Sequence, residues 1–254
     1  MKNKFLSFLF FLLLSKTFFL NAHSAEQFNF DVTEIEVLQN GNVIKGVKKG
    51  SIKTDDGIII NANNFVYEKL LNTLTADGKV EIIDTKRNLK IYSDNVIYDK
   101  NNEIITTNKN SKAIYENGKF ITGNIFRLNR NENILNANGK VEIQDTVNDY
   151  LISGDSFTYY KDFEKIITKG KTDAFLQSKY KIFSSDVIFL IKENSLSSSK
   201  KTKIEDNNSQ VYFTENFNYS INQETFKGEK ILIITNYNLP KSDKFYFENA
   251  IINL

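Results

Sequence analysis

Asn72-Thr-Leu-Thr-Ala-Asp-Gly-Lys-Val-Glu-Ile-Ile-Asp-Thr85 recurs as Asn133-Ile-Leu-Asn-Ala-Asn-Gly-Lys-Val-Glu-Ile-Gln-Asp-Thr146, identical at ten of fourteen positions. The offset is 61 residues, and it halves. A polar residue followed by an apolar one returns at Asn64-Phe65, Asn95-Val96, Asn124-Ile125, Ser156-Phe157, Asp186-Val187 and Asn216-Phe217. The spacings are 31, 29, 32, 30 and 30, and Asn249-Ala250 is placed to begin a seventh unit. An aromatic often stands two residues further on, at Tyr67, Tyr98, Tyr159, Phe189 and Tyr219. A register held over six units is the signature of a repeat architecture.

Inside each unit the hydrophobic period is two. Val80 and Ile82 alternate with Lys79 and Glu81; Val141 and Ile143 alternate with Lys140 and Glu142. Leu89–Ser93 and Thr33–Leu38 alternate in the same way. Such alternation describes strands with one buried and one solvated face. Asn40-Gly41, Asp56-Gly57, Asp77-Gly78, Asn117-Gly118 and Asn138-Gly139 read as tight hairpin turns, with looser turns at Glu68-Lys69 and Lys100–Asn102. No stretch after residue 25 carries a helical apolar stripe. The composition agrees: 21 Phe and 12 Tyr, rich in Ile, with one proline. The fold expected is all-β, an elongated open jelly roll or solenoid-like stack of ~31-residue repeats with two or three short strands each.

A stack of this kind has two open ends, whose edge strands expose unpaired backbone groups. Ile35 and Val37 near one end, and Phe245 and Phe247 near the other, are the candidates for pairing there. The strand-like run Phe245–Leu254 carries no polar cap, so its edge is expected to pair with another molecule or to continue into further chain.

At the N-terminus, Lys2 and Lys4 precede an apolar run from Phe5 to Leu14, and small residues follow at Ala22, Ser24 and Ala25. This is the pattern of a cleaved secretory signal peptide, residues 1–24. Lys16 and the shortness of the run argue against a membrane anchor. Cleavage removes three lysines and no acid, so the formal +2 becomes about −1, and a nucleic-acid partner has no electrostatic basis. The exported chain, residues 25–254, has no cysteine and no histidine. That excludes Cys–His and Ser–His–Asp nucleophiles and the usual zinc sites, so no catalytic residue, metal or cofactor is expected. The acidic pairs Asp55-Asp56 and Glu205-Asp206 read as solvated turn residues.

The run Phe28–Val37, then Asn40-Gly41, then repeated Asp/Asn-apolar-x-Tyr and Ala-x-Gly-x-Val-x-Ile units, resembles the OstA-like domain of the lipopolysaccharide-transport (Lpt) jelly-roll family over nearly all of residues 28–254. Within it the likeness is greatest to the N-terminal periplasmic portion of the outer-membrane assembly members (LptD), and next to the bridge members (LptA). The resemblance implies a V-shaped open jelly roll that shelters lipopolysaccharide acyl chains, in the periplasm and associated with the outer membrane. It implies partners that pair edge to edge by β-augmentation, and beyond them an outer-membrane barrel with its lipoprotein plug. The barrel that an outer-membrane member carries has no counterpart in this sequence. The groove candidates are Phe65, Val80, Ile82, Val96, Ile125, Val141, Ile143, Phe157, Val187 and Phe217. A competing reading is an exported β-solenoid scaffold with a sealed core, in which the same residues are ordinary filling.

Overall fold

The two-residue period produces a single antiparallel sheet of 21 strands in residues 28–253, the part of the chain that the computed structural model describes. The expected signal peptide lies outside those residues. Among the described residues helix is confined to two 3-10 turns, Gln39–Gly41 and Lys161–Phe163.

The chain zigzags through fifteen passes, nine of them unbroken strands and six of them pairs of short strands. First come β1 (Asn29–Leu38) and β2 (Val43–Lys53), the pair β3 (Ile58–Ala62) and β4 (Asn64–Glu68), then β5 (Thr73–Asp84) and β6 (Leu89–Asp99). Next are the pairs β7 (Ile104–Asn108) with β8 (Ser111–Glu116) and β9 (Lys119–Gly123) with β10 (Ile125–Asn129). They lead into β11 (Ile134–Asp145), β12 (Tyr150–Tyr160) and β13 (Lys165–Leu176). The last pairs are β14 (Tyr180–Ser185) with β15 (Ile188–Leu190), β16 (Ser195–Ser198) with β17 (Thr202–Glu205), and β18 (Val211–Thr214) with β19 (Asn216–Ser220). β20 (Thr225–Ile234) and β21 (Lys244–Asn253) complete the sheet.

Pairing shows that the sheet is folded lengthwise. Val43–Gly46 of β2 pair with β4, whereas Gly50–Lys53 pair with β3. β5 divides in the same way. β4, β7, β10, β15, β16 and β19 therefore lie in a first leaf, and β3, β8, β9, β14, β17 and β18 in a second. A crease joins the leaves, and each has a free rim where the hairpins turn.

Two expectations are corrected at the crease. Asp77-Gly78 and Asn138-Gly139 are not hairpin turns; each lies inside a 12-residue strand. Gly78 and Lys79 have φ of 79° and 53°, and Gly139 and Lys140 have 77° and 52°. Two successive left-handed residues make a bulge, which turns the strand from one leaf to the other without ending it. The passes are consequently long bent strands more often than short ones. Asn40-Gly41, Asp56-Gly57 and Asn117-Gly118 do form the rim turns expected of them.

Where short strands break at the crease, buried hydroxyls replace the missing ladder bonds. Phe126 N–H donates to Thr107 Oγ1 at 2.9 Å, and 61 residues on Val187 N–H donates to Thr168 Oγ1 at 2.8 Å. The rims are stitched between neighbouring turns by asparagines at the same interval. Asn72 donates to Asn101 (2.9 Å), Asn133 to Asp162 (2.9 Å) and Asn194 to Asn222 (3.2 Å).

Candidate functional site

The space between the leaves is lined by cross-strand rows. In the second leaf one inward row runs Phe30, Ile52, Ile60, Ile82, Ile91, Ala113, Ile121, Ile143, Ile152, Ala174, Ile182, Ile204, Tyr212, Ile233, Phe245, each residue paired to the next. The first leaf answers with Val37, Ile44, Tyr67, Leu74, Tyr98, Ile105, Leu128, Leu135, Tyr159, Ile166, Phe189, Leu196, Tyr219, Phe226 and Ile252. β-Branched and aromatic side chains suit such rows because each packs on its cross-strand neighbour. Both rows are buried along the middle of the sheet. They emerge at its ends, where Phe30, Ile44, Ile233 and Ile252 are half-buried and Val37 and Phe245 exposed.

Nine of the ten groove candidates face this interior and are buried there: Phe65, Val80, Ile82, Val96, Val141, Ile143, Phe157, Val187 and Phe217. Ile125 does not. It is 44% exposed on the outer face, and Phe126 takes the inward place. The shared 61-residue bond makes Phe126 the equivalent of Val187. The third unit is thus displaced by one residue from the spacing of polar–apolar dipeptides, and in a strand one residue reverses the face. Ile35, Val37, Phe245 and Phe247 stand exposed on β1 and β21, which among the described residues each pair with one strand only.

The rims meet over the interior, and they meet differently in the two halves. Toward the N-terminal end a charged cluster bridges them. Asp56, Asp84 and Arg87 come from the rim of the second leaf; Lys100, Glu103, Arg130 and Asn133 come from that of the first. Arg130, 2% exposed, donates through Nε to Asp84 at 3.1 Å and through Nη1 to the Tyr98 hydroxyl at 2.7 Å, to Asp56 and to Glu103. Lys100 joins Asp56 (3.1 Å) and Glu103 (2.6 Å). Arg87 holds Asp84 (3.1 Å) and crosses to Asn133 Oδ1 (2.5 Å) and to the Arg130 carbonyl. Burial works against the charged form of Asp56, but the Thr54 hydrogen bond and Arg130 outweigh it and hold the carboxyl below the usual carboxylate range. Burial likewise opposes the charge on Lys100, and its bonds to Glu103, Tyr98 and Asp56 overcome it, raising its pKa.

Asp56 is therefore not the solvated turn residue its sequence context suggested. Arg130 and Asp84 were not singled out by sequence, and Lys100 only as the start of a loose turn. One signal was present: the chain has three arginines among 33 basic residues, and two of the three sit in this cluster.

Beyond it, closure is mainly aromatic. Tyr159 meets Tyr115 across the leaves at 5.4 Å, Phe189 meets Tyr150 at 5.1 Å, and Tyr219 meets Tyr180 at 6.1 Å. These first-leaf rings are the recurring aromatics of the repeat, so their sequence spacing records the row that shuts the interior. Burial pushes the Tyr159 phenol up to about 12. The rim contacts here are lighter. Lys179 and Glu224 form an exposed pair at 3.2 Å, and Gln177 donates to the Ile221 carbonyl at 3.3 Å.

No protein-family model matches this chain, and no curated protein matches it in sequence. Twenty-one chains of solved structures match it. One is LptH, the LptA homologous periplasmic component of the conserved lipopolysaccharide transport device from Pseudomonas aeruginosa. The superposition covers 46% of this chain and 94% of that one, with 14% identity and a TM-score of 0.43. So slight a likeness carries no functional argument, which has to come from the rows and the rims.

Proposed function

We propose that this protein is a non-enzymatic carrier, exported to the periplasm by cleavage after residue 24, that holds the acyl chains of lipopolysaccharide between its leaves and passes them along. The observation that supports the reading is the continuity of the inward rows from β1 to β21, apolar or aromatic at every step and emerging at both ends, at Val37 and at Phe245. A chain sliding along them leaves one apolar contact for the next, with each buried methylene worth about 0.8 kcal/mol. β1 and β21 are the strands for β-augmentation by other jelly rolls of the LptA and LptD kind, and through them by an outer-membrane barrel and its lipoprotein plug. The groove set is that named from sequence, with Phe126 in place of Ile125.

Photo-crosslinking tests this. A photoreactive residue placed singly at Phe65, Val80, Val96, Val141 or Phe157 is expected to give lipopolysaccharide adducts, and at Lys79 or Lys140 none. Absence of adducts at every inward position of a folded protein refutes the carrier. One observation favours the alternative, a sealed scaffold: along the middle of the sheet the row side chains are almost wholly buried against one another. A carrier must therefore open.

A further inference from the structure

We infer that the rims part from the C-terminal half, while the Arg130 cluster holds the N-terminal half shut. This rests on the carrier reading only for its purpose; the asymmetry is a property of the fold. The crease cannot supply it, because bulged strands and hydroxyl-bonded breaks occur along both halves. The rims can. Separating the N-terminal rims exposes three cations and three carboxylates that satisfy one another in a site where Arg130 and Asp84 are almost wholly buried. The bonds that cross have to be exchanged for water together: Arg130 to Asp56 and Asp84, Lys100 to Asp56, and Arg87 to Asn133 and the Arg130 carbonyl. Arg87–Asp84 and the two pairs of Glu103 each stay within one rim. Separating the C-terminal rims breaks one pair that water already reaches and two long hydrogen bonds of Gln177, to the Ile221 carbonyl and from the Tyr219 hydroxyl, and slides aromatic rings past each other.

At the C-terminal end opening uncovers a continuous path. Past Tyr219 and Phe226 the inward rows run directly into the exposed end of β21, so a gap begun there is continuous with the open edge. An apolar chain admitted at that end would advance towards the clamp, not escape sideways through it. The cluster thus keeps a closed conduit behind an opening mouth, and the ligand class it suits is a long, unbranched apolar chain attached to a polar head that stays outside.

The absence of cysteine allows the test in the full chain. Lys86 and Asn131 are exposed on opposite rims beside the cluster, and Ser178 and Asn222 are exposed on opposite rims beside the lighter contacts. Spin labels on each pair report the gap by double electron–electron resonance. In lipid-free protein the 178–222 distances are expected to be the broader distribution; with deep-rough lipopolysaccharide they lengthen by about 4 Å, the spacing of stacked apolar atoms, while the 86–131 distances hold. Arg130→Met is expected to broaden the 86–131 distribution alone. Equal widths in the lipid-free protein, or lengthening first at 86–131, overturn the inference. Crosslinking in the same samples separates the two readings: no lipid adduct with unequal lipid-free widths removes the carrier and leaves the asymmetric clamp standing.

Discussion

Lys100 and Arg130 both reach carboxylates of the two leaves, Asp56 and Glu103, but Arg130 adds a third, Asp84, through Nε. The ammonium is a point charge, whereas the planar fork holds its three partners in a fixed geometry. Arg130→Met should therefore cost about 3–5 kcal/mol, the usual penalty for stranding buried charges, seen as a lower urea midpoint at unchanged slope. Without Arg130 the cluster holds three carboxylates against Arg87 and Lys100, so adding Asp84→Asn, which removes the excess negative charge, should recover part of that loss; a double variant less stable than the single would contradict the pairing. The cluster also has a defined pH window. Folded Asp56 holds its proton less readily than the unfolded group, whose value is 3.8, so its contribution is fully present above 3.8 and disappears as pH falls through and below it. The stability gap between wild type and Asp56→Asn is expected to be flat from pH 5 to 8 and to close only in stronger acid. A gap that shrinks near pH 6 would mean that Asp56 is not held ionised by Arg130.

At the scale of elements, what the sequence made legible was the strand and the repeat, and what it hid was the corner. Asn138-Gly139 and Asn117-Gly118 look alike because a hairpin turn and a bulge both demand positive φ, and only the partner strands separate them. The same blindness displaced Ile125: Asn124 before it makes the crease bonds that Asn63 makes in the first unit, so Ile125 stands where that unit has the exposed Asn64, and Phe126 where it has Phe65. Gly139 permits a clean test. A Cβ there would stand 2.8 Å from Asn124 Nδ2, whereas at Gly170, with φ of 79° against 77°, nothing lies within 4 Å. Both alanine variants carry left-handed strain of about 1–2 kcal/mol; Gly139→Ala carries the contact as well. Thermal melts should rank Gly139→Ala below Gly170→Ala, and equal melting points would show that the crease yields without resistance.

At the scale of the molecule, the apolar rows were readable because alternation and the 61-residue echo are local, whereas the charged cluster was not, because Asp56 and Arg130 are 74 residues apart and meet only when the leaves close. The open ends lie between these cases: edge residues are named by sequence, but whether the inward rows continue to them depends on the fold. They do continue, and this has a consequence for assembly. Phe245 and Phe247 prolong the second leaf's inward face beyond Ile233 and Ile231, so a partner strand that pairs with β21 also receives their side chains as the next step of the row. Lysine at both positions leaves the interior of the monomer intact, since both are already exposed, and should change its stability by no more than about 0.5 kcal/mol. The backbone edge remains available, but its lane now ends in two charges. Sedimentation with a jelly-roll partner of the LptA kind is expected to show complex formation by wild type, its loss in Phe245→Lys/Phe247→Lys, and its retention in Ile35→Lys/Val37→Lys if that partner docks on β21. Loss in the β1 variant alone would reverse the polarity of the chain in the bridge. Undiminished binding by both variants would show that neither end strand is the docking edge, and the rows would then have no neighbour to pass their cargo to.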